Sequence, residues 1–141
     1  MEQIEYGACA VKFELDDDGF VSGNVYGVMM ANNAGALAAL LLRAGADRES
    51  PGVLVSMEKT LVALPRIEAD HYNHVPPVLR SVPVAVLILP EQLSVYEDVA
   101  QAASATGAIR RAFFSREQAQ AWLREQAQAL QANRAWWRTN R

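Results

Sequence analysis

Residues 82–123 constrain the fold more than any other part of this chain. They read VPVAVLILP, then an Ala-rich stretch ending at Gly107, then AIRRAFFS, then REQAQAWL. The run 84–89 is continuously apolar, of strand length, and stopped by Pro90, as expected of a strand buried on both faces. Residues 97–106 have helical composition, and 109–114 return to strand. Ser115 with Gln118 three positions later has the form of a capping box, so the last helix should begin there. Its apolar stripe is Ala119, Trp122, Leu123, Ala127 and Leu130. Strands alternating with helices at this spacing predict a parallel sheet covered by helices.

Upstream, the chain opens differently. Val11, Phe13 and Leu15 alternate with Lys12, Glu14 and Asp16, the period of a half-buried strand. Asp16-Asp17-Asp18-Gly19 follows as a turn, with Gly19 able to supply positive φ. Residues 20–30 read as an antiparallel partner, in which Gly23 and Gly27 suggest a bulge or the close approach of another element. Asn32 or Asn33 can cap a helix with Leu37, Leu40, Leu41 and Ala44 on its apolar face and Gly45 at its C-terminal cap. Pro51-Gly52 breaks the chain before a buried strand over 53–57. Residues 58–80 carry the weakest pattern: Leu61, Val62 and Leu64 extend the strand or start a helix, and Pro76-Pro77 ends any helix built over 66–73. The reading is an α/β chain with an N-terminal β-hairpin, then alternating helix and strand, forming a mixed, mostly parallel sheet.

Composition bounds the function classes. A chain of 141 residues, 51% hydrophobic and 21% charged, can bury a core of its own. A net charge of −3, with the arginines scattered through helices, gives no basic stripe to neutralise phosphates, so no nucleic-acid partner is expected. The single cysteine, Cys9, lies in a strand-like run and reads as a small buried apolar side chain. The opening MEQIEYGACA lacks a basic and then apolar leader, and the longest apolar stretch, 34–42, is too short to span a bilayer. A cytoplasmic protein without stable membrane insertion is the expectation.

Few residues suggest chemistry. Glu68, Asp70, His71 and His74 could place two metal ligands on one helix face, since Asp70 and His74 are i,i+4 and the histidines i,i+3. The pattern is not HExxH, no cysteine supports it, and Pro76 follows closely; solvated polar groups are the plainer reading. No Gly-x-Ser-x-Gly elbow and no phosphate-cradling glycine motif occurs. Ser56, at the end of a buried strand, can satisfy a backbone group or bind a ligand. Trp136 and Trp137 lie near the end of the last helix, where they cover the domain's own edge or form an aromatic patch for a homodimer or partner.

The strand order and several of these segments resemble the STAS domains, the anti-sigma-factor-antagonist or SpoIIAA-like fold. NVYGVMMANNAGALAALL is similar to that family's second strand, glycine and first helix, with Gly27 in the glycine position. VAVLILP, a short helix, Gly107, IRRAFFS and REQAQAWL are similar to a bacterial, STAS/SEC14-related branch, in which a strand ending in Phe precedes a helix with Glu-x-Ala-x-x-Trp-Leu. Glu117, Ala119, Trp122 and Leu123 fill that pattern here. The resemblance implies a single STAS-like domain over 1–141, with a helical C-terminal extension from about 124. It implies a non-enzymatic regulatory or protein-interaction module without cofactor, its partner surface in the 58–71 region at Glu58, Thr60 and Arg66. Members switched by phosphorylation carry a serine at the helix after the third strand; here that stretch is LVALPRIE, with Leu64 and Pro65 instead, and Thr60 is the nearest hydroxyl. Two other functions stay open. The Sec14-like side implies a carrier of a small apolar ligand or lipid, with the apolar first helix as its wall and 58–77 as its lid. A metal-dependent enzyme would have to use Asp70, His71 or His74.

Overall fold

The computed structural model describes residues 2–6, 9–29, 40–47, 50–62, 82–94 and 109–139. Strands β1 (Glu2–Tyr6), β2 (Cys9–Leu15), β3 (Val21–Met29), β4 (Val53–Val62), β5 (Val84–Leu87) and β6 (Arg110–Phe113) form one sheet in that spatial order. The first three are antiparallel neighbours, and β3 to β6 run parallel. Each parallel pairing needs a long crossover. The first of these contains the helical residues 40–47 (α1), and helix α2 (Arg116–Thr139) follows β6. A mixed, mostly parallel α/β sheet is therefore what the chain builds, as its pattern predicts.

Strand β1 is an addition to that pattern. Glu-Gln-Ile-Glu-Tyr carries exposed Gln3 and Glu5 and has no apolar run of its own, so its strand character comes from pairing with β2. Charged and polar side chains suit an edge strand, where they discourage further pairing.

The two faces of the sheet are made differently. Cys9, Val11 and Phe13 of β2 point to the same side as Val21 and Val25 of β3 and Val53 and Val55 of β4, and all are buried. Gly23 belongs to this side, where an added Cβ would lie 3.1 Å from Val11 Cγ1 and 3.3 Å from Phe13 Cβ. The expectation of a close approach holds there. On the opposite side, Leu54, Ala85, Leu87 and Phe113 meet Ala119 and Leu123 of α2, with Phe20 closing the cluster. Trp122 packs tilted on Phe113 at 5.8 Å between ring centroids. Gly52 lets β4 start directly beneath α2: a Cβ there would sit 2.9 Å from Leu123 Cδ2.

Several local expectations need correction. Gly45 is not a left-handed cap; α1 continues through residue 47, and Gly45 is small because a Cβ would press within 3.2 Å of Val53 Cγ2. Leu40 is exposed and Leu42 is buried with Leu41 and Ala44, so the core-facing stripe of α1 is rotated from the expected one. Strand β4 runs on to Val62, so of the two alternatives for Leu61 and Val62 the extended strand is the one that forms. The helix expected over 97–106 lies outside the described residues, although 93 and 94 are already helical. The Asp16–Gly19 turn forms as expected: Gly19 has φ +82°, and Asp16 Oδ1 accepts from the Asp18 and Phe20 amides.

Helix α2 begins where the capping signal places it. Ser115 Oγ accepts from the Gln118 amide at 3.4 Å, and its carbonyl accepts from Ala119 at 3.1 Å. Glu117 accepts from the Ser115 hydroxyl at 2.9 Å. The Glu117 carboxyl is held below its ordinary range by its own backbone amide, then by Ser115, with Arg116 adding to both. A carboxyl shifted this way stabilises the fold above its unfolded pKa and loses that contribution as pH falls through the folded value. Loss of the cap in Ser115→Ala is expected to cost about 0.5–2 kcal/mol, and removal of the Ser115 hydroxyl should lessen the acid sensitivity that Glu117 brings. Urea unfolding at neutral and acid pH would check both effects; equal stability at both values would refute the cap.

Candidate functional site

Strand β4 does not pair evenly along its length. Asn24 pairs with Ser56, but Tyr26 pairs with Lys59, so two residues of β3 face three of β4. The extra residue is a β-bulge, a device that re-aims side chains at the working end of a strand. One position later Gly27 adopts φ +97°, a conformation that a side chain disfavours, where β3 bends beside the bulge. The serine, glutamate, lysine and threonine of SMEKT are thereby sorted onto two sides of the sheet.

Glu58 and Lys59 are exposed, whereas Ser56 and Thr60 are buried. Ser56 Oγ donates to Glu58 Oε1 at 2.9 Å, tying the exposed carboxylate back to the strand. The Thr60 hydroxyl donates to the Val25 carbonyl at 2.9 Å and faces inward. It positions β4 against β3 rather than presenting itself to solvent. Gln92 completes the fastening from the turn after β5. Its Nε2 donates to the Met57 carbonyl at 3.0 Å and the Thr60 carbonyl at 3.2 Å, while its Oε1 accepts from the Leu89 amide at 2.7 Å. Two β4 carbonyls beyond the last β4–β5 pair, Ser56 with Leu87, are thus satisfied from 32–35 residues away in sequence.

Beside the bulge, Tyr26 is flanked by two ammonium groups, Lys59 Nζ at 5.2 Å and Lys12 Nζ at 5.5 Å from the ring centroid. Both lysines are exposed, on the side of the sheet opposite Val11 and Val25. Cys9 is buried on the other side, and burial pushes its thiol up, away from the reactive thiolate form.

The structure brings Glu58 and Thr60 to one bulge but turns them to different environments. Arg66 lies outside the described residues, as do Leu64, Pro65, Glu68, Asp70, His71 and His74. Among the described residues there is no group of three potential metal ligands. Ser56 takes the simpler of its two roles, bonding within the bulge. Trp136 and Trp137 belong to the backbone of α2, but their side chains lie outside the described set. Among the described residues no helix is long and apolar enough to cross a membrane. Gln92, Lys12, Lys59 and Tyr26 carried no signal in the sequence as a site. Alternation on β2 places Lys12 on the solvent side, but the bulge that brings Lys59 next to Tyr26 has no sequence mark beyond Gly27.

No protein-family model matches the chain, and no curated protein does. Among solved structures, the chain is similar to an uncharacterized protein of the DUF3478 family from Shewanella loihica PV-4, described as having a SpoIIAA-like fold. The two share 17% identity at a TM-score of 0.50, over 85% of this chain and 97% of that one. At that identity the likeness is one of fold. The chain has a SpoIIAA-like fold.

Proposed function

We propose that this SpoIIAA-like domain is a non-enzymatic regulatory module that binds a protein partner through the bulged end of β4. Glu58 is its exposed contact and Thr60 its positioning residue. Arg66, four positions beyond β4 in sequence, is proposed as a further partner contact. The observation that supports this reading is the fastened bulge. Three side chains, Ser56, Thr60 and Gln92, hold a short exposed segment in one conformation at the C-terminal end of a parallel strand. Crevices outside the carboxyl ends of parallel strands are the usual binding positions of open α/β sheets. A rigid exposed segment also binds with little ordering cost. The absence of an acceptor serine at Leu64-Pro65 argues for binding without the family's phosphorylation switch.

Affinity capture with the purified chain, followed by titration of the recovered partner, tests the reading. Glu58→Ala and Arg66→Ala are each expected to weaken binding about tenfold, or roughly 1.4 kcal/mol, without altering the melting temperature. A partner held equally well by both variants would overturn this surface, and a chain that recovers no specific partner would overturn the module.

A further inference from the structure

The α2-bearing side of the sheet, along β2, β3 and the bulged part of β4, adds a chemical identity to that partner. Helix α2 packs on this side over β4, β5 and β6 and reaches the start of β3, where Arg116 Nη1 donates to Ser22 Oγ at 3.2 Å. Farther along β2 and β3 on this side, Lys12 is exposed and Asn24 and Tyr26 are half-buried. Lys12 and Lys59 come from strands on either side of β3, and both lean onto the Tyr26 ring. Neither ammonium makes an ion pair among the described residues. Glu14 shares the face two positions from Lys12, and Glu58 adjoins Lys59 and bonds to Ser56 instead. Glu5 lies two strands away in the same row as Tyr26. Among the described residues these three carboxylates bound the cationic area on its outer sides, and none of them pairs with an ammonium over the ring. Just beyond it, in the register of Val28, Leu61 is 64% exposed.

We propose that this face is a docking platform for an acidic, leucine-bearing segment of a partner protein. Tyr26 is its floor, Lys12 and Lys59 are its carboxylate contacts, and Leu61 is its apolar anchor. The inference rests on the protein-binding reading above and names the chemistry of the partner. Charge complementarity selects an acidic segment, because among the described residues the two ammoniums held over the ring have a cation–π attraction, worth little in water, and no ion pair. The exposed leucine beside them distinguishes a peptide from a free anion. Glu58, held to Ser56 at the margin of the platform, is left to contact the partner outside the acidic segment.

The probe is a short acetylated peptide of repeating Glu-Leu-Glu, titrated into isotope-labelled full-length chain at low salt. Its Lys-Leu-Lys counterpart and inorganic phosphate serve as controls. Amide shifts should gather at Lys12, Asn24, Tyr26, Lys59 and Leu61. The double variant Lys12→Gln, Lys59→Gln should bind at least about tenfold more weakly while keeping its melting temperature. Shifts centred elsewhere, equal binding by the double variant, or equal response to the Lys-Leu-Lys peptide would overturn the platform. Phosphate producing the same shifts would also overturn it, in favour of a small-anion site. Capture that is lost in Glu58→Ala while the acidic peptide fails to bind would retire the platform and keep the module. A wild-type chain that captures nothing retires both.

Discussion

Leu123→Ala is expected to lower the unfolding free energy by about 3–4 kcal/mol, the largest effect of any single truncation considered for this chain. Leu123 is 1% exposed and joins Phe20, Leu54, Ala85, Leu87 and Phe113 into one cluster. The cost has two parts, the lost transfer energy of the removed atoms and the cavity left behind. Collapse of that cavity is hindered because the backbone facing it is Gly52, which has no side chain to move in. The urea midpoint should fall with an unchanged slope, and the melting temperature should drop on the order of 10 °C. By contrast, Arg124→Ala, one residue on, removes only the exposed Asp18 pair at 3.0 Å and should cost about 0.2–1 kcal/mol. A double-mutant cycle sharpens the argument. Gly52→Ala should destabilise the wild type, since its Cβ would stand 2.9 Å from Leu123 Cδ2 and 3.3 Å from the Pro83 carbonyl oxygen, and should destabilise the Leu123→Ala background less, because only the second contact remains. Additive losses would show that α2 does not rest on β4 as described.

Gln92→Leu is expected to cost about 1–3 kcal/mol and to loosen the bulge. The substitution keeps most of the side-chain volume but strands the carbonyls of Met57 and Thr60 and the amide of Leu89. Hydrogen exchange at residues 57–60 should accelerate more than exchange in β5 or α2, because the bulge has lost its brace while the core has not. Gln92→Glu separates hydrogen bonding from shape. Its carboxylate still accepts from Leu89 but faces two carbonyls, so the folded state disfavours the charged form and raises the pKa. The protonated form can donate to one carbonyl, so this variant should be least stable at neutral pH and recover as pH falls through the raised value. Uniform exchange across the sheet in Gln92→Leu, or no acid recovery in Gln92→Glu, would refute the brace.

Much of the framework is legible along the chain because it rests on local chemistry. The apolar run 84–89, the Asp16–Gly19 turn and the Ser115 cap each announce an element through residues a few positions apart. Helix α2 starts where Ser115 says it should, and its buried Ala119 and Leu123 are the ones its period selects. Where the decisive neighbour is distant, the pattern misleads. Gly45 reads as a cap from its place in the chain, yet it is small because Val53 packs on it. Strand β1 has too little apolar pattern to declare itself and exists through its pairing with β2.

The sequence by itself thus determined the α/β alternation, the hairpin turn and the start of α2, since periodicity, turn residues and caps act within a few residues. Only the tertiary structure decided the site. The bulge in β4 is a matter of register against β3, accompanied by the Thr60 bond to Val25 and by Gln92 reaching back 32–35 residues to the Met57 and Thr60 carbonyls. The meeting of Lys12 and Lys59 over Tyr26 likewise joins three strands. Such contacts are set by how strands are laid side by side, and no local propensity encodes that.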